Sequence, residues 1–140
     1  MKIVFLLLAL GVFFASAKKQ SVRVKGRLLC RELPEQYAEL QLIDKWMLFP
    51  NTVMARDKFS DPSGFFEIAG FVDSKFDVKV ALHIWHHCYE HPAEHKDPCQ
   101  LKIKVPIPPI FVQDGATSPK AWDLGDIALD TYESKLTSCD

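Results

Sequence analysis

From Ser21 to Leu29, the apolar Val22, Val24 and Leu28 alternate with the basic Arg23, Lys25 and Arg27. A period of two is the mark of a strand with one face buried and one exposed. Gly26 interrupts this strand and marks a bulge or a close backbone approach. The same alternation recurs in Ala38–Ile43, with Leu40 and Leu42 on one side, and more weakly in Thr52–Phe59. Phe65–Ile68 is short. Phe76–His87 is the longest apolar run and places Val78, Val80, Leu82 and Ile84 on one face. Leu101, Ile103 and Val105 alternate with Lys102 and Lys104, and Ile127 with Leu129 marks a final short strand. No segment of this region carries a helical period.

Between the strands stand turn signals. Asp61-Pro62-Ser63-Gly64 combines an Asp that opens type I turns, a Pro that sets φ, and a Gly that tolerates positive φ. Arg31–Gln36, Asp44–Asn51, Tyr89–Pro98 and Gln113–Lys120 read as loops, and Lys18–Gln20 as a frayed start. Seven or eight short strands spaced in this way predict an all-β sandwich of two antiparallel or mixed sheets.

The first residues follow different rules. Met1-Lys2 is positive, Ile3–Phe14 is almost wholly apolar, and Ala15-Ser16-Ala17 supplies small residues for cleavage. That layout predicts a secretory signal peptide over residues 1–17 and a single mature domain over 18–140. The apolar run is too short to cross a bilayer, which takes about 20 residues as a helix. A secreted, extracellular protein that is not transmembrane is therefore expected. Without the leader, 16 basic residues face 18 acidic ones, and this balance argues against nucleic acid as a partner.

Four cysteines, Cys30, Cys88, Cys99 and Cys139, fall in the mature part. In an exported chain they predict two disulfides rather than a metal site, because no close Cys-x-x-Cys pair is present. Three connectivities are open.

The order of several short motifs resembles the nematode transthyretin-like family. These are Gly26-Arg27-Leu28-Leu29-Cys30, Asp61-Pro62-Ser63-Gly64-Phe65-Phe66-Glu67-Ile68-Ala69-Gly70, Ala81-Leu82-His83-Ile84-Trp85-His86-His87-Cys88, Lys102-Ile103-Lys104-Val105-Pro106 and Trp122-Asp123-Leu124-Gly125-Asp126-Ile127-Ala128-Leu129, with Cys99 between the third and fourth. The resemblance implies a transthyretin-type sandwich of two four-stranded sheets. The strand directions of that fold place Cys30, Cys88 and Cys99 at one end, and favour Cys30–Cys99 with Cys88–Cys139 over Cys30–Cys88 with Cys99–Cys139. Two departures stand out: Glu32-Leu33-Pro34-Glu35 replaces the family's Gly-Lys-Pro-Ala turn, and the apolar Trp46-Met47-Leu48-Phe49 replaces an acidic loop.

The fold also hosts a hydrolase of 5-hydroxyisourate, whose chemistry needs an early histidine and a terminal Tyr-Arg-Gly-Ser. Here no histidine precedes His83 and the chain ends Thr137-Ser138-Cys139-Asp140, so no enzyme activity is expected. His83, His86, His87, His91 and His95 are close in sequence, yet alternation sends His86 away from His83 and His87. They read as surface and sheet-end residues, with no metal and no cofactor assigned. Two surfaces are candidate binding sites. The stripe Arg23, Lys25 and Arg27 could meet anionic head groups or an acidic patch. The loop carrying Trp46 and Phe49 either docks on a membrane or partner, or folds back to cap the sandwich. The expected function is extracellular binding or bridging at a cell surface, lipid head group or protein partner, with carriage of a small apolar ligand as the alternative.

Overall fold

The computed structural model describes residues 17–89 and 99–137. Residues 1–16 of the expected leader, His91, His95 and Cys139 therefore lie outside the described residues. Among the described residues there are ten strands, three of them only two residues long. They are β1 (Lys18–Cys30), β2 (Leu33–Pro34), β3 (Glu39–Asp44), β4 (Thr52–Phe59) and β5 (Phe65–Ser74), then β6 (Val80–His86), β7 (Leu101–Pro106), β8 (Gln113–Asp114), β9 (Trp122–Ala128) and β10 (Lys135–Leu136). The first sheet is built on β1, which pairs with β2, β5, β8 and β9. The second runs β10-β7-β6-β3-β4.

Between the sheets the alternating apolar residues close into one core. Val22, Val24 and Leu28 from β1 and Ile68 from β5 meet Leu40 and Leu42 from β3, Leu82 and Ile84 from β6 and Ile103 from β7. At about 25 cal/mol per Å² of apolar surface removed from water, this packing is the main force joining the sheets. The Asp61–Gly64 turn forms as expected. The Asp61 carboxylate accepts from the amides of Ser63 and Phe65, each at 2.9 Å. Gly64 has φ +84°, and a Cβ there would lie 2.4 Å from the Leu28 carbonyl.

Three expectations are corrected. Lys18–Gln20 does not fray but pairs with Val72–Ser74 of β5. The last long strand includes Ile127 but starts earlier and stops before Leu129. It is Trp122–Ala128, parallel to β1, and Leu129 begins a 3-10 turn. A bulge hid this strand. The pairing shifts register between Lys25 and Arg27, opposite Gly125, which has φ +72° and is held by the Asp123 carboxylate at 2.8 Å. The apolar residues therefore change phase, from Trp122 and Leu124 to Ile127. Gly26 shows the predicted close approach, since a Cβ there would stand 2.9 Å from the Gly125 carbonyl.

The third correction concerns the cysteines. Among the described residues one disulfide is found where two were expected, and it joins Cys30 to Cys88. The favoured Cys30–Cys99 and Cys88–Cys139 pairing is thereby overturned. After β6 the chain folds inward: the Cys88 amide donates to His86 Nδ1 at 3.0 Å, and Cys88 is buried beside the end of β1. Cys99 instead precedes β7 on the side where the C-terminal segment runs, with the Thr137 amide donating to the Gln100 carbonyl at 2.9 Å. Cys99 is not a free thiol.

Candidate functional site: two sheet faces and an apolar tip

The predicted basic stripe lies on the outer face of the first sheet, but acids flank it on both sides. Arg23 forms a 2.9 Å ion pair with Glu67. Lys25 stands opposite Glu67 on β5 and Asp123 on β9, Arg27 stands opposite Asp126, and Lys19 stands opposite Asp73. Arg27 also donates to the Ser63 carbonyl at 3.1 Å and lies 5.2 Å from the centre of the Phe65 ring. A groove of about 500 Å³ between these residues has Asp61, Asp123 and Asp126 in its lining as well as Lys25 and Arg27. Phe59, Phe65 and Phe66 also line it, so the groove combines paired charges with an apolar wall.

The loop after β3 is a different surface. Trp46 is half-buried, and its indole N–H donates to Thr52 Oγ1 at 3.2 Å. The Phe49 and Phe76 rings stand edge-on to it at 6.2 and 6.4 Å. Beyond this pedestal the loop does not fold back. Met47 is 91% exposed, Leu48 89%, and Phe49 and Phe76 68% each. Lys45 and Lys75 adjoin this apolar tip in the chain and Lys79 lies close by, all exposed, with one exposed acid, Asp77, beside Phe76. The Lys45 amide donates to the Lys79 carbonyl at 2.9 Å, which joins the two segments. Trp46 and Phe49 were read from sequence. Phe76 was not, because it lies 27 residues further on and only the β5–β6 connection brings it to Trp46.

The histidines depart from expectation. His83 and His86 are buried, not surface residues, while His87 is exposed. His86 faces the core side. Its Nδ1 accepts from the Cys88 amide, so the ring proton is on Nε2 and points to Ser134 Oγ at 3.2 Å. A histidine in that tautomer donates to the serine and cannot take its proton, so the pair is not an activated nucleophile. Burial first, and His87 second, lowers the His86 pKa to about 4.

His83 lies on the outer face of the second sheet, opposite Gln41 of β3 and Lys104 of β7. It is 4% exposed, and its Nε2 has no hydrogen-bond partner. Burial, then Lys102, Lys104 and Lys45, lowers its pKa to about 4. The only described trio with metal-ligand geometry is Cys30, Glu35 and Cys88. Its two sulfurs are bonded to each other, so neither is a thiolate ligand.

Comparison with known proteins agrees with the sequence resemblance. The Transthyretin-like family model matches residues 25–108. Transthyretin-like protein 5 of Caenorhabditis elegans is 30% identical over 131 residues, covering 92% of this chain and 91% of its own. Transthyretin-like protein 46 of the same organism is 25% identical over 134 residues, covering 96% of this chain and 73% of its own. A solved 9R-lipoxygenase from Cyanothece is 17% identical, with a TM-score of 0.44 over 78% of this chain and 16% of its own. That likeness is too loose to carry an argument.

Proposed function

The chain belongs to the Transthyretin-like family, and from that premise we propose that it is an exported binding module that docks on anionic membrane surfaces through its apolar tip. The observation that carries this reading is the exposure of Met47, Leu48, Phe49 and Phe76 around the Trp46 pedestal. Holding four large apolar side chains in water costs free energy that burial elsewhere would recover, at about 25 cal/mol per Å². An indole and two phenyl rings suit the boundary between headgroups and acyl chains, where one end is apolar and the other wet. Lys45, Lys75 and Lys79 would lie at headgroup level, each contributing about 1 kcal/mol on an anionic leaflet. The basic stripe on β1 is the weaker candidate, since Glu67, Asp123 and Asp126 offset its charge.

The test is co-sedimentation of the secreted protein with phosphatidylcholine vesicles, with and without phosphatidylserine. Leu48→Asp with Phe49→Asp should weaken binding to the anionic vesicles at least about tenfold. Both side chains are exposed, so stability should change by less than about 0.5 kcal/mol. Unchanged binding by this variant would remove the tip from the mechanism.

A further inference from the structure

The outer face of the second sheet carries a charge arrangement that the tip does not use. Lys102 and Lys104 project from β7, Lys135 stands opposite Lys102 on β10, and Lys45 follows β3 on the same side. On a sheet, neighbouring strands lie about 4.8 Å apart and alternate residues about 6.6 Å apart, so Lys102, Lys104 and Lys135 form a close group, with Lys45 toward the other end of the sheet. Lys102 lies 4.9 Å from the centre of the Trp85 ring. Glu39, opposite Trp85, is the carboxylate that the strand pairing brings beside them. None of the four lysines is in an ion pair among the described residues. Burial, together with Lys104 and Lys135, lowers the Lys102 pKa. Beside this group sits His83, buried, neutral near pH 7, with Nε2 unpartnered.

Like charges placed together on a rigid sheet oppose folding unless a counter-charge relieves them. We propose that this face binds a sulfated polysaccharide, its sulfates lying over Lys102, Lys104 and Lys135. The cations of this group are lysines, compact point charges that meet an oxyanion without requiring one planar orientation. Sulfates fixed to sugar rings also lose less freedom on binding than glutamates, each of which gives up about 1.5–2 kcal/mol of rotamer entropy. A sheet face is flat and cannot enter a bilayer. β6 runs about 20 Å from the tip end to Trp85 and His86, so the two surfaces could be occupied together and the module would bridge a membrane to a polyanionic matrix. The inference about this face stands on its own residues, whether or not the tip binds membranes.

The experiment uses the secreted protein and a heparin octasaccharide, followed by calorimetry and by NMR of the imidazole of His83. Lys102→Glu with Lys104→Glu should reduce affinity at least about tenfold, and the milder Lys102→Gln with Lys104→Gln should fall between. Arg23→Glu with Arg27→Glu, and separately Leu48→Asp with Phe49→Asp, should stay within about twofold of the parent. Saturation with the octasaccharide should shift the His83 imidazole resonances, because the sulfates would lie over Lys102 and Lys104 beside it. Retained affinity in both lysine variants, or His83 resonances that do not move, would overturn the proposal. Equal affinity for polyglutamate would overturn it in favour of an acidic protein. Loss of vesicle binding with octasaccharide binding intact would remove the tip reading alone.

Discussion

On the first sheet, Arg23 meets Glu67 at 2.9 Å, and Lys19, Lys25 and Arg27 each stand opposite an acid on a neighbouring strand. On the second sheet, Lys102 faces Lys135, Lys104 faces His83, and the histidine is driven neutral. The two outer faces have the same backbone, similar numbers of cations and a shared core. The difference lies in what the neighbouring strand supplies, and strand pairing decides that. A basic stripe read along one strand carries little information about the potential above it. The stripe most visible in the sequence is the neutralised one, while the unbalanced face is assembled from three strands and a loop.

The comparison depends on the two sheets remaining one body, so the first way to break it is to cut their covalent link. Replacing Cys30 and Cys88 together by alanine opens a bridge across 58 residues. In the chain-entropy model this should cost about 4 kcal/mol, measured by denaturant unfolding. A loss below about 1 kcal/mol would mean that the core alone holds the faces in place.

That bridge also marks where the sequence stopped being legible. Six of the seven long strands were visible, most clearly where Val22-Val24, Leu40-Leu42, Leu82-Ile84 and Ile103-Val105 alternate, and the Asp61–Gly64 turn announced itself through its residue types. The β9 strand was not, since the bulge at Gly125 changes the phase of its apolar residues. The cysteine pairing depended on the inward fold after His86, and that fold is driven by a hydrogen bond between residues 86 and 88 with no pattern of its own. At the candidate sites, Trp46 and Phe49 were readable as an apolar loop. The acids beside Arg23, Lys25 and Arg27 were not, because Glu67 and Asp126 lie 40 to 100 residues away in the chain.

Acid should separate the faces next. His83 and His86 have folded pKa values near 4, against about 6.5 when unfolded. Between those values the unfolded chain binds more protons than the folded one, so stability falls as pH drops from about 6.5 toward 4. Glu35 and Asp44 act in the opposite sense, because burial pushes their carboxyls up and folding then favours proton uptake in acid. The decline should therefore be steepest between about pH 6.5 and 5, with roughly one proton taken up per buried histidine on unfolding. Thermal unfolding at stepped pH reads this directly. A slope unaffected by replacing His83 with Gln would assign the acid lability elsewhere.

The smallest effect is the sharpest discriminator, since the two faces should give it opposite signs. On the first face, a double-mutant cycle on Arg23→Ala and Glu67→Ala isolates an exposed ion pair, with both side chains more than 40% accessible. Such pairs contribute about 0.2–1 kcal/mol, and salt screens them over a Debye length of about 8–10 Å. The coupling should be favourable and shrink as ionic strength rises. On the second face, the cycle on Lys102→Gln and Lys104→Gln isolates a repulsion of similar size, so removing either lysine should stabilise the domain slightly. Removing the second should then gain less than the first, because the partner charge is already gone. Rising salt should stabilise the parent protein through this face and leave the double glutamine variant less affected. If both cycles return favourable couplings, a counter-charge already sits over Lys102 and Lys104 in the free protein. The contrast between a neutralised face and a face awaiting an anion would then fail.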